Sequence, residues 1–127
     1  MWTLARHVHD AEDDEMAELW DSALHRMIAQ CARNRPLQTA FALLDDTRAS
    51  PDWRGQRSLA RTDGSLEETH AQHMAIVTAI EAGEPEAARL AMRTHLLARV
   101  EALSDVLGAL ETAGLSPVES VHPGRAV

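Results

Sequence analysis

Apolar residues along this chain recur at three- and four-residue steps, and no segment alternates in the two-residue period of a strand. That restricts the fold to helices that bury their stripes on one another. A first helix is expected from about residue 13 to 33, with Trp20, Leu24, Met27, Ile28 and Cys31 on one stripe. Asp13, Asp14 and Glu15 suit the positive end of its dipole. Asn34 is expected to take the left-handed stop, and Pro36 to open a second, shorter helix with Leu37, Phe41 and Leu44 on one side. Residues 48–64 break the pattern: Pro51, Gly55 and Gly64 fall among polar residues and Arg48, Arg54, Arg57 and Arg61. They read as a connection with, at most, a short helical turn. A third helix over 65–82 carries Leu66, Ile76, Val77 and Ile80. Gly83 stops it and Pro85 starts a fourth, in which Ala88, Met92, Leu96, Val100, Leu103, Val106 and Leu110 stay in phase to about Gly114. The expected architecture is an all-α antiparallel helical bundle over residues 1–114, followed by a flexible tail at 115–127.

Composition narrows the chemistry. The 127 residues suffice for one domain with one core. All 12 basic residues are Arg, against 20 acidic ones, for a net charge of −8. Without Lys there is no Schiff-base catalyst and no phosphate-loop lysine. An acidic chain lacks the positive field that DNA or an anionic membrane requires. The single Cys31 excludes an internal disulfide and a multi-thiolate zinc site, and its place on the stripe reads as core. No run approaches the roughly 18 apolar residues of a membrane span, and the N-terminus has no signal-peptide pattern, so the expected location is cytoplasmic. No Ser-His-Asp order, glycine-rich phosphate loop or zinc-protease H-E-x-x-H is present.

The seven histidines are more informative. Asp21 and His25 stand four apart on the first helix, which puts them on one face. His73 lies within the third helix's apolar stripe, and His95 lies beside Met92 and Leu96 in the fourth. Three helices thus aim an imidazole at one interior, and one adds a carboxylate. A buried polar group without a partner costs about 1–3 kcal/mol, so these four either satisfy one another or share an ion. Three nitrogens and one oxygen suit Zn, Ni, Co or Mn. The alternative is a set of core histidines each hydrogen-bonded to its own partner.

The runs "ELWDSALH", "CARNRPL" and "QHMAIVTAIEAGEPEAARLAMRTHL" resemble the ligand-sensing (FCD) domain of the FadR branch of GntR-type bacterial transcription regulators. The resemblance covers roughly residues 4 to 107. It implies a helical bundle whose metal ligands fall on Asp21, His25, His73 and His95, with open metal positions for the carboxylate of a small organic acid. It also implies a homodimer, and DNA binding only through a winged helix-turn-helix domain that this chain does not contain. The first helix of the sensing domain also has no counterpart in the resemblance, which makes the chain either a fragment or a free-standing sensor. Three departures stand out: Leu24 for the usual Phe, Gln72 for the Glu before the third ligand, and Glu84 for Asp at an N-cap.

Arg26, Arg33, Arg48 and His70 are candidates for gripping the effector's carboxylate. Glu67 and His70 form a single E-x-x-H, whereas a di-iron bundle needs two. His7, His9 and Asp10 read as a solvated end. The expected role is sensing, with no catalytic residue. The competing readings are a mononuclear metal enzyme acting on a small carboxylic acid with His70 as base, and a metal-free helical interaction domain.

Overall fold

The computed structural model describes residues 1–114. Six helices follow one another: α1 (Trp2–His9), α2 (Asp14–Cys31), α3 (Arg35–Arg48), α4 (Pro51–Leu59), α5 (Asp63–Glu81) and α6 (Pro85–Thr112). No strand occurs among the described residues, and the all-α bundle is as expected. The tail read at 115–127 lies outside the described residues. Among the described residues, no helix is long and apolar enough to cross a membrane.

Local chemistry sets the helix ends. Asp13 accepts from the Met16 amide at 2.8 Å, satisfying one of the free N–H groups that open α2. Thr62 and Ser65 form a reciprocal capping box at the start of α5. Gly83, at φ 69°, closes α5 by a Schellman arrangement: the Glu84 amide donates to Ala79 O and the Gly83 amide to Ile80 O. Glu84 is the N-cap of α6, and its side chain makes no cap bond.

Three expectations about organisation need correcting. The N-terminal stretch is not a solvated end but helix α1, which packs on α2 and α5 and buries Ala5 and Val8. Residues 48–64 contain a helix of their own, α4, started by Ser50 accepting from the Trp53 amide and by Pro51 in the first turn. At the end of α2 it is Arg33, not Asn34, that takes the left-handed conformation, at φ 50°. Asn34 instead caps α3 by accepting from the Leu37 amide.

The core is small. Ala5, Leu24 and Val77, from α1, α2 and α5, meet at its centre, with Trp2, Leu4, Ile28 and Met74 packed around them. Full burial of Leu24 contributes roughly 1.5–3 kcal/mol. Cys31 is not core: it is the last residue of α2 and is exposed. Nor is the α6 stripe fully covered, because Leu96 and Val100 are exposed while His95, just before Leu96, is buried.

α4 buries no residue and is held by charge instead. Asp14, Glu15, Glu18 and Asp21 recur at helical spacing along α2, and Arg54, Arg57 and Arg61 do so from α4 onward. Arg54 pairs with Glu15 at 3.5 Å, Arg57 with Glu18 at 2.6 Å and Asp21 at 3.3 Å, and Arg61 with Glu18 and Asp14. These long side chains lay the arginine face of α4 across the acidic face of α2. That sets one wall of the site.

Candidate metal centre

Asp21 and His25 from α2, His73 from α5 and His95 from α6 are all buried and meet at one point. One ligand atom from each lies within 4.8 Å of the other three. Asp21 Oδ1 stands 3.2 Å from His73 Nε2 and 3.7 Å from His25 Nε2. The His25 and His95 rings are stacked at 5.2 Å between centroids, and His73 and His95 are tilted at 4.6 Å.

Each member is held in place by its own helix's packing. Leu24 and Ile28 pin α2 to the core and so aim His25 and Asp21 at α5. Ile76 and Val77, both buried, do the same for His73 one turn earlier on α5. His95 Nδ1 donates to Gln72 Oε1 at 3.0 Å, which leaves its Nε2 lone pair free. Gln72 thus supplies an oxygen acceptor that fixes the orientation of the His95 imidazole.

The electrostatics favour the metal-ready protonation states. Burial pushes the His25 imidazole down to about 4 and the His95 imidazole down to about 3, so both are neutral at neutral pH. Burial alone would raise the Asp21 carboxyl. The approach of His73 Nε2 at 3.2 Å, the electrostatic coupling to His25, and the guanidinium charges of Arg57 and Arg48 outweigh it and hold the carboxyl well below its usual range. Asp21 is shared: Oδ1 faces the imidazoles, while Oδ2 takes Arg48 and Arg57. Glu18 is shifted the other way, its carboxyl raised by burial against the pull of Arg57 and Arg61.

This donor set fits a divalent ion. His73 Nδ1 is buried without a hydrogen-bond partner, and three imidazoles with one carboxylate are the ligand types such ions take. The centre opens on one side. A cavity of about 380 Å³ is lined by Asp21, His25 and His95, by Arg48, Arg57 and Arg99, and by an apolar wall from α4 and α6.

The remaining sequence candidates are dispersed. Arg48 lines the cavity. Arg26 is exposed and paired with Asp45, and Arg33 is exposed at the α2–α3 turn. His70 does not line the cavity, and its ring lies 4.4 Å from that of His9. His9 in turn bonds Asp10 at 2.9 Å and Glu67 at 3.1 Å, and those two hydrogen bonds raise its imidazole above the usual value. Arg57, Arg99 and Trp53 line the cavity but were not among the candidates for the site. The signals for them were there: Arg54, Arg57 and Arg61 at helical spacing, and Arg99 four residues after His95.

A family model described as the FCD domain matches residues 3–98. The chain belongs to the FCD domain family. FCD domains are the C-terminal effector-binding domains of GntR-family regulators, and the match takes in all four residues of the centre. No curated protein and no solved structure matches the chain.

Proposed function

We propose that this FCD domain is the ligand-sensing part of a FadR-branch, GntR-type transcription regulator of the cytoplasm. In this reading Asp21, His25, His73 and His95 hold one divalent metal, zinc foremost, with nickel, cobalt or manganese as alternatives. A small organic acid is the effector. The observation that carries the reading is that four buried ligand groups from three helices converge beside a cavity lined by arginines. When bound, such an ion acts as a Lewis acid that takes up a carboxylate oxygen.

The chain's own residues divide the remaining work. Gln72 orients His95, Arg48 and Arg57 balance Asp21, and Arg99 adds positive charge at the cavity. Three helices meet at the ligand, so its arrival changes how α2, α5 and α6 are held together. That is the route by which a homodimer would relay the signal to winged helix-turn-helix domains. Turnover is not part of the proposal. His70, the base an enzyme would recruit, is not among the residues lining the cavity.

The test is calorimetric titration of lactate, citrate and 3-phenyllactate into zinc-loaded and chelated protein. At least one acid is expected to bind the loaded form and to weaken tenfold or more on chelation, roughly the loss of one strong ligand contact. Binding of none, to either form, contradicts the proposal.

A further inference from the structure

The cavity at the metal centre has a divided lining. Beyond its arginines and the groups of the metal centre it consists of Trp53, Ala60, Leu96, Val100, Ala102 and Leu103. No serine, threonine, asparagine or glutamine lines it among the described residues. A ligand bearing several hydroxyls would therefore press donors and acceptors against a wall that has nothing to receive them, and buried unpaired polar groups are unfavourable. An apolar ligand body meets the opposite situation. Leu96 and Val100 are 49% and 62% exposed, and an apolar body lying on them would remove that surface from water.

Outside the four residues of the metal centre, the unpaired polar groups of the lining are donors. Arg48 Nε, Trp53 Nε1 and Arg99 Nε are buried without hydrogen-bond partners. Arg48 and Arg57 are committed to carboxylates of α2, whereas Arg99 forms no ion pair among the described residues. Arg99 follows His95 by one helical turn on α6, which sets its guanidinium beside the centre. A lining that offers one uncommitted cation, spare N–H groups and aliphatic walls fits an anion with few polar atoms besides its charge. The volume, about 380 Å³, lies within the range of small-molecule pockets, roughly 300–1,000 Å³.

We infer that the effector is a monocarboxylate carrying a compact apolar body, its carboxylate meeting Arg99 beside the metal centre and its body lying on Leu96, Val100 and Leu103 against Trp53. This rests on the organic-acid reading above and narrows it, setting aside polyhydroxy acids.

Three 2-hydroxy acids that share one head group separate the cases: 3-phenyllactate, lactate and gluconate, titrated calorimetrically into the zinc-loaded full chain. Phenyllactate is expected to bind at least roughly tenfold more tightly than lactate, from the apolar area it buries, with gluconate no tighter than lactate. Trp53 fluorescence is expected to respond to phenyllactate and to lose that response in Trp53→Phe. Val100→Ser, at an exposed position, should keep the melting temperature and shrink the phenyllactate-to-lactate ratio. Arg99→Gln should weaken both acids by similar factors. Gluconate or lactate binding as tightly as phenyllactate overturns the apolar-body assignment and leaves the organic-acid reading standing. Binding of none of the three overturns the apolar-body assignment, and the organic-acid reading with it only if citrate also fails to bind. A ratio unmoved by Val100→Ser puts the body elsewhere and also overturns it.

Discussion

The helix that walls the cavity is held by charge, and a double-mutant cycle tests that directly. Arg57 and Glu18 side chains are 18% and 8% exposed and 2.6 Å apart, whereas Arg54 and Glu15 are 40% and 81% exposed and 3.5 Å apart. Two unit charges about 4 Å apart attract by roughly 4 kcal/mol at an effective dielectric constant near 20, and desolvation takes back part of that. Each group also keeps a second partner, because Arg61 still faces Glu18 and Arg57 still faces Asp21. The expected coupling for Arg57→Met with Glu18→Gln is therefore about 1.5–3 kcal/mol. For Arg54→Met with Glu15→Gln, in a second cycle of the same kind, it is about 0–0.5 kcal/mol, since exposed pairs are screened. Urea unfolding of the four proteins in each cycle, in one fixed metal state, gives both numbers. Equal couplings for the two pairs would refute the claim that buried ion pairs dock α4.

Four further outcomes follow from the same geometry. Leu24→Ala, at the fully buried centre of the core, should cost about 2–5 kcal/mol in urea unfolding, and a loss under 1 kcal/mol would contradict the core assignment. Arg33→Gly should stabilise by about 0.5–1 kcal/mol, because φ 50° strains a residue bearing a Cβ, and destabilisation would speak against the turn as described. In chelated protein, stability should fall with acid. The folded His25 and His95 sit at about 4 and about 3, so below pH 6.5 the unfolded chain takes protons the buried rings refuse. Their contribution is intact above that value and lost as pH drops toward 4, by roughly 2–4 kcal/mol between pH 7 and pH 5. A melting temperature flat over that interval, or a slope that His95→Leu leaves untouched, would contradict it. Finally, His73→Ala should abolish metal uptake in an equilibrium dialysis with zinc, and wild-type affinity in that variant would remove His73 from the centre.

Much of this was readable from the residues because the buried apolar groups follow helical spacing. Leu24, Ile76 and Val77 fell where periodicity put them, and so did the turn at Gly83. The four residues of the centre were legible for a related reason: polar side chains placed within apolar stripes have to converge or go unsatisfied. Periodicity failed where burial did not drive folding. α4 has no apolar stripe, and its arginines form a face only in relation to the acids of α2. α1 is too short, at eight residues, for a repeating pattern to emerge before the helix ends. The cavity arginines followed the same division. Arg48 was visible as a candidate, while Arg99 required knowing that α6 turns its exposed stripe toward the pocket. Arg26 and Arg33, candidates by the chemistry of their guanidinium groups, are exposed and do not line the cavity. Gln72 is instructive in another way, since an apparent loss of a carboxylate kept the oxygen that orients His95.

The central claim is that Asp21, His25, His73 and His95 form a metal centre, and elemental analysis of untagged protein purified without chelator tests it most directly. About one divalent ion per chain is expected, absent from the His73→Ala variant. Protein that carries no metal, and takes up none when zinc, nickel, cobalt or manganese is supplied, would contradict the claim.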